Sequence, residues 1–282
     1  MKRNAIVRII LFSITIVVLL GILLACLGIG KYASTHNSFS VPGSTSFSSS
    51  VKNGKVGSGA VSSSDIRELQ LEWVGGTVKV LPGDGDKITF TENTGLDEAD
   101  QLRWEVRDGR LIIAFCENKK ISFGFTLDDL KKDLTVTVPK DLILDKLTVD
   151  SVSADVEVTG QTGDRFQLNN VSGKCSAEDC VFDKVVLETV SGDLDFRGTA
   201  VTLEIHGVSA DCSAELDEKI TTVDFEGVSG GLKLTLPQGL SYTTDVDTVS
   251  GSVHGDRSSF GSFGHCEIEF ESVSGNLTIQ TK

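Results

Sequence analysis

The chain is short of positive charge. Its 282 residues contain 26 Lys and Arg against 40 Asp and Glu, which leaves a formal net charge of -14 at pH 7. Nucleic acid binding needs a positive surface that opposes the phosphates, so the composition argues against nucleic acid as a partner. An acidic balance fits either the solubility of a folded domain or attraction to a cationic partner such as a basic peptide.

Paired cysteines and zinc-type cysteine spacing are also missing. Six cysteines occur, and five of them follow the first 30 residues: Cys116, Cys175, Cys180, Cys212 and Cys266. An odd number cannot form a complete set of disulfides, and the absence of C-x-x-C spacing disfavours a zinc site. We therefore expect buried thiols that pack as small apolar side chains.

Signals for catalysis or cofactor binding are few. The chain has only two Trp and two Tyr, so aromatic side chains that stack on sugars in a polysaccharide-acting enzyme are scarce. Gly227 to Gly231 fits the G-x-S-x-G pattern, but the nucleophile elbow needs a strand-to-helix turn, and Ser229 belongs to a strand repeat. His206, His254 and His265 share no obvious face. The sequence therefore predicts no catalytic, cofactor or metal site.

What the sequence does contain is a repeat. In the second half of the chain the dipeptide Val-Ser recurs seven times at intervals of 18 to 24 residues, usually followed by Gly or Ala; its valines are Val152, Val171, Val190, Val208, Val228, Val249 and Val273. A spacing this regular indicates a structural period with insertions. The sequence predicts one coil of a strand repeat, about 19 to 24 residues long, for each copy.

Apolar residues keep fixed offsets from each Val. One stands three residues before it, as Val149 and Leu187 do, and another stands four residues after it, as Val156 and Leu194 do. Apolar and polar residues alternate on both sides, which is typical of a strand with one buried face. Apolar residues stand at odd offsets before the Val and at even offsets after it. Because the inward-facing positions change at the Val-Ser step, each copy must bend there.

Stacking the copies would bury their apolar faces, so the predicted fold class is all-β and solenoid-like. We expect the serines to lie at structural corners and to satisfy backbone groups there. These corner serines are Ser153, Ser172, Ser191, Ser209, Ser229, Ser250 and Ser274. A divergent eighth copy with Gly in place of Ser surrounds Val74. The prediction therefore divides the domain, residues 66–282, into an irregular part, 66–146, and regular repeats, 147–282.

The N-terminus predicts a membrane anchor. Ile9 to Ile29 is an almost unbroken apolar run, long enough at about 1.5 Å per residue to cross a bilayer core of about 30 Å. Lys2, Arg3 and Arg8 precede it, so residues 1–8 are expected in the cytoplasm and the remainder outside. A cleaved signal peptide and a lipoprotein signal ending at Cys26 are the alternatives. Residues 30–65 are rich in Ser and Gly and predict a flexible linker.

One copy carries a family resemblance. Thr189-Val190-Ser191-Gly192-Asp193-Leu194-Asp195-Phe196, together with the N-terminal membrane segment, resembles the bacterial putative-adhesin family of unknown function, which includes LiaG-like envelope proteins. The resemblance covers roughly Ile66 to Lys282. It implies a β-strand-repeat fold at the cell envelope and brings no catalytic residues.

These observations lead to a functional hypothesis. We expect a single-pass, non-catalytic interaction module in adhesion or envelope stress, with an envelope protein or a cell-wall polymer as its ligand. The alternative is a self-assembling scaffold, because no cap follows Leu277 and Ile279 and open solenoid ends can stack. A polysaccharide-acting β-helix enzyme is a third and weaker hypothesis.

Overall fold

A computed structural model describes residues 44–46, 50–51, 54–93, 96–116, 120–122 and 131–282. These residues form strands and one 3-10 helix, Ser63–Asp65, with no α-helix among them. The strands are β1 Ser44–Ser46, β2 Lys55–Val56, β3 Gly59–Ser62, β4 Glu68–Gly83, β5 Lys87–Glu92, β6 Arg103–Arg107, β7 Arg110–Ala114, β8 Lys120–Ser122, β9 Leu134–Pro139, β10 Ile143–Thr159, β11 Thr162–Ser172, β12 Cys175–Ser191, β13 Leu194–Leu216, β14 Thr222–Leu236, β15 Leu240–Thr248, β16 Val253–His254, β17 Ser258–Ser259 and β18 Phe263–Thr281.

The predicted membrane span, Ile9 to Ile29, lies outside the described residues. Within the described ranges, no helix is long and apolar enough to cross a membrane.

The repeat copies form long parallel strands that are stacked in register. Val149 pairs with Leu168, and Leu168 with Leu187, so the residues three before each Val form one column across the coils. The column continues through Ile205 and Phe225. The predicted all-β, solenoid-like fold is therefore confirmed.

The divergent eighth copy takes its place in the same stack. Strand β4 pairs in parallel with β10, and Gly75 stands opposite Ser153. Leu71 likewise stands opposite Val149. The predicted alignment around Val74 is confirmed, and this copy adds one more coil before the regular repeats.

The inward columns form one continuous hydrophobic core. The five cysteines described above are all buried and free, as expected. Burial raises the pKa of the Cys175 and Cys212 thiols to about 12, although hydrogen bonds from the Asn170 side chain and the Val156 backbone oppose the shift at Cys175. These thiols stay protonated at neutral pH and act as packing groups.

Several coils bend where a small polar side chain meets a glycine. The Thr189 Oγ1 atom accepts a hydrogen bond from the Gly192 N–H at 3.0 Å, and the Ser272 Oγ atom accepts one from the Gly275 N–H at 2.8 Å. Gly230 adopts a φ of 97°, and a Cβ atom there would lie 2.0 Å from the Ala210 carbonyl oxygen. The bend therefore depends on residues that allow close backbone approach.

The irregular first part closes one end of the stack. Strand β4 pairs with β7 along its first half and with β9 along its second half. Antiparallel strands continue outward from both, β6 and β2 beyond β7, and β5 and β3 beyond β9. We call this region, residues 54–139, the cap.

The cap begins earlier than the sequence predicts. Part of the expected linker, residues 30–65, forms β2 and β3, which pair with β6 and β5. A Cβ atom at Gly59 would lie 2.9 Å from the Phe90 ring and 3.1 Å from the Trp104 ring. Small residues that read as linker composition here allow a strand to approach two aromatic side chains closely.

The coils do not stack in chain order at the other end. Strand β18, the last of the chain, lies between β14 on one side and β15 and β16 on the other. The last strand of the chain is therefore not the end of the stack, since Leu277 pairs with Leu232 and with Val253. Phe270 of β18 stacks on Phe225 at 4.7 Å between ring centroids, so the larger aromatic ring takes the interior position.

Candidate functional site

The corner serines hold neighbouring coils together. In six of them the hydroxyl donates a hydrogen bond to the carbonyl of the corner valine in an adjacent coil, at 3.1 to 3.5 Å; these are Ser153, Ser172, Ser191, Ser229, Ser250 and Ser274. Ser209 pairs in register with Ser229. The serines thus satisfy backbone groups at the corners, and the bonds run between coils. These hydroxyls therefore link adjacent coils at the corners.

The other residues that the sequence singled out are also separated. Ser229 lies within β14 and donates to the Val208 carbonyl at 3.3 Å. His254 lies 3.0 Å from the Ser252 hydroxyl, and His265 lies 3.3 Å from the Thr243 hydroxyl. Within the described ranges, no three His, Cys, Asp or Glu side chains are arranged to hold a metal ion.

Carboxylates do gather on the outer face of β14, β18 and β15. These strands pair in parallel, with Asp224 opposite Glu269 and Glu269 opposite Asp245. Two residues further along the strands, a second row consists of Glu226, Glu271 and Asp247. Two residues before the first row, a third row consists of Thr222, Glu267 and Thr243. We call the seven acidic residues of these rows the acidic grid: Asp224, Glu226, Asp245, Asp247, Glu267, Glu269 and Glu271.

Local sequence and inward packing together create the grid. Acidic residues occupy alternate positions, so Phe225, Phe270 and Val246 point inward while their neighbours point outward. Strands in register lie about 4.8 Å apart, which places the carboxylates of one row at close range. Like charges in such positions repel one another, so burial of the inner face must hold them there.

Outward positions on other strands include basic residues that pair with carboxylates. On the same face, Arg110 pairs with Glu68, and Lys184 pairs with Glu204, each at 2.6 Å. On the outer face beyond the corners, Lys79 pairs with Glu157 at 2.8 Å. None of the nine positions in the three rows is basic. The grid is therefore a concentrated negative surface and not the average charge of the domain.

The carboxylates of the grid shift the pKa values of Asp224 and of the neighbouring His206. Burial, with the charges of Glu226, Glu269 and Glu204, raises the pKa of the Asp224 carboxyl to about 6, although His206 opposes this. Burial lowers the pKa of His206, but the nearby carboxylates of Glu226, Glu188 and Asp224 outweigh it and raise that pKa above its usual value of 6.5. The His206 Nδ1 atom lies 3.7 Å from Glu226 Oε2.

The protein should become more stable as the pH falls from about 7.5 to about 5.5. The pKa of Asp224 is higher in the folded state than its value of 3.8 in the unfolded state. Its contribution to folding stability is therefore complete below pH 3.8 and is lost as the pH rises through about 6. The pKa of His206 is also higher in the folded state than its unfolded value of 6.5. Its contribution to folding stability is therefore complete below pH 6.5 and is lost as the pH rises through the folded pKa. Partial exposure of Asp224 reduces the combined gain to on the order of 1 kcal/mol.

Thermal unfolding followed by circular dichroism would measure this gain. A midpoint that is a few degrees higher at the lower pH is expected, by roughly 2–4 °C per kcal/mol for a domain of this size. Asp224→Asn combined with His206→Gln should remove most of the difference. A double variant that keeps the full difference would show that other groups cause it.

Sequence reasoning missed the grid. Acidic residues after the corner, namely Asp155, Asp193 and Asp211, are interrupted by Lys174 and Gly231 and give no continuous signal. The signal lies two and four residues before the corner valine, and in the last copy also six residues before it. Tabulating those offsets would have shown the last three copies to be acidic.

Comparison with solved structures finds similar chains of low sequence identity. A putative adhesin from Bacteroides fragilis is 14% identical, with a TM-score of 0.47, and the alignment covers 79% of this chain and 97% of that one. A putative cell adhesion protein from Clostridium sporogenes is 13% identical, with a TM-score of 0.37 and coverage of 81% and 100%. A putative lipid binding protein from Parabacteroides distasonis is 16% identical, with a TM-score of 0.33 and coverage of 82% and 98%.

Comparison with curated proteins finds no match. Among protein families, the one described as Toastrack DUF4097 matches residues 66–280. That match spans β4 to β18, which includes every coil and the acidic grid. The chain therefore belongs to the Toastrack DUF4097 family.

Proposed function

We propose that this protein is a membrane-anchored, extracytoplasmic binding module without catalytic activity, and that it presents the acidic grid to a cationic partner in the cell envelope. The observation that carries the proposal is the row structure of the grid, in which seven carboxylates share one face of three paired strands. A role in adhesion or envelope stress would follow from the identity of that partner.

Electrostatics support a binding role for this surface. Neighbouring carboxylates raise the local negative potential, which attracts cations and suppresses wrong partners. The side chains of Glu226 and His206 are 31% and 21% exposed, so a ligand can reach the row that they share. A partner with several positive charges would relieve the repulsion within the grid.

A basic probe tests the grid directly. Full-length protein should bind fluorescent decalysine, and Glu267→Gln, Glu269→Gln and Glu271→Gln together should weaken that binding by about tenfold or more. The charge-matched control carries Asp193→Asn, Asp211→Asn and Glu218→Gln, which lie outside the grid. The control should lose less than about twofold, and raising NaCl from about 50 to about 300 mM should weaken binding to the native protein.

Equal losses in both triple variants would contradict the proposal, because the probe would then sense only the net charge of -14. Anchoring is tested separately with intact protoplasts. External protease should degrade the repeat domain of the native protein, and full protection would place that domain in the cytoplasm.

A further inference from the structure

The stack ends in an open strand edge beside the acidic grid. Strands β15 and β16 both pair with β18, and β17 covers β15 only at Tyr242 and Thr243. Within the described part of the chain, no strand pairs with the outer side of β15 from Asp245 onward or with the outer side of β16. An exposed edge of this kind can accept another strand.

Backbone direction identifies the groups that are available there. The Thr244 N–H donates to the Arg257 carbonyl at 3.0 Å, on the side away from β18. Backbone groups of successive residues alternate between the two sides of a strand, so those of Val246 and Thr248 also point to the open side. Those of Asp245 and Asp247 point to β18.

The apolar core also stops short at this edge. Val246 and Val253 are only partly buried, whereas Phe270 and Leu277, their partners one strand further in, are fully buried. Val249, at the corner of the same copy, is 65% exposed. One more strand with apolar residues facing inward would complete the burial.

Charge decides what kind of strand fits. Asp245 and Asp247 are exposed on the outward face of the edge strand, next to Glu269 and Glu271. If a second copy paired through the same edge, its Asp245 and Asp247 would lie directly across from them, and like charges in those positions destabilise a pair of strands. A basic strand would instead be attracted.

We propose that the β15–β16 edge binds an extended segment of another protein that carries Lys or Arg at alternating positions, and that this segment adds to the sheet as a strand. The inference rests on the proposed function and specifies its partner. Main-chain hydrogen bonds to Val246 and Thr248 provide affinity, and the alternating basic side chains provide specificity through the grid.

The test uses the full-length protein and two peptides of the same composition. One has the sequence Thr-Lys-Val-Lys-Val-Lys-Thr, and the other has its three lysines together. Val246→Pro removes an outward N–H without removing a bond to β18, and Val246→Ala is the matched control for the lost side chain. The alternating peptide should bind Val246→Pro about tenfold more weakly than Val246→Ala, while decalysine should bind both equally.

Hydrogen exchange provides a readout that needs no variant. Adding the alternating peptide to the native protein should slow exchange at the Val246 and Thr248 amides, while the clustered peptide should not.

The outcomes separate this inference from the proposed function. Equal binding of the alternating peptide to Val246→Pro and Val246→Ala, with unchanged amide exchange, would overturn strand addition while leaving the grid as a binding surface. Decalysine binding that falls equally in the grid triple variant and in its charge-matched control would overturn the proposed function itself. Dimers in sedimentation that Val246→Pro dissociates would identify a second copy as the occupant and would also overturn the inference.

Discussion

Replacing Leu194 by Asp should unfold the repeat domain at room temperature. Leu194 is 2% exposed and pairs with Cys175 inside the stack. Losing the buried leucine side chain costs about 2–5 kcal/mol, and burying an unpaired carboxylate adds several kcal/mol. The sum is comparable to the whole stability of a typical domain, about 5–15 kcal/mol. Loss of the far-UV circular dichroism signal of strands would show the unfolding.

Asp195→Ala is the matched control in the next residue. The Asp195 side chain points outward and is 23% exposed, and it pairs with Arg197 at 3.1 Å. Exposed ion pairs contribute about 0–1 kcal/mol, so this variant should melt within a few degrees of the native protein. Equal tolerance of both changes would contradict the inward and outward assignment on which the repeat alignment depends.

Replacing Lys132 by Met should destabilise the cap by about 3–5 kcal/mol. Lys132 Nζ lies 2.6 Å from Glu92 Oε2, and the two side chains are only 4% and 3% exposed. The ammonium group also donates to the Asp100 carbonyl at 2.8 Å and lies 4.4 Å from the centre of the Phe115 ring. Without it, the Glu92 carboxylate would remain buried and lose its partner charge, which is more costly than losing the attraction alone.

Tryptophan fluorescence is the suitable measurement for this prediction. Both tryptophans, Trp73 and Trp104, are buried in the cap, so denaturant unfolding followed at their emission reports this region. Adding Glu92→Gln to Lys132→Met removes both charges and should recover much of the loss. Lys79→Met, which breaks an exposed pair with Glu157, should leave the unfolding midpoint nearly unchanged. A similar cost at Lys79 and Lys132 would contradict the argument from burial.

The repeat itself could be predicted from the sequence because its causes are local. Alternation of apolar and polar residues decides which side of a strand is buried, and a strand period of two is readable in a single copy. The columns through Leu168 and Leu187, the corner at Ser153 and the divergent copy at Val74 all follow from that pattern. The buried, free cysteines follow from it as well.

The cap could be predicted only in part. Its strands alternate, but their partners come from distant segments, as when β4 pairs with β7 and β9. The strand at Gly59 has the composition of a linker, and small residues in a sequence do not show that an aromatic ring lies against them. The Lys132–Glu92 pair joins residues 40 positions apart, which no local pattern indicates.

By itself, the sequence determined the all-β repeat, the inward face of each strand and the acidic character of the last three copies. Only the tertiary structure decided that β18 enters between β14 and β15, which places Asp245 and Asp247 at an open edge. The physical reason is that side-chain direction depends on neighbouring residues along the chain, whereas strand order depends on which distant faces bury most completely. Phe270 packs against Phe225 better than the smaller Val246 can, and that contact helps determine which copy remains exposed.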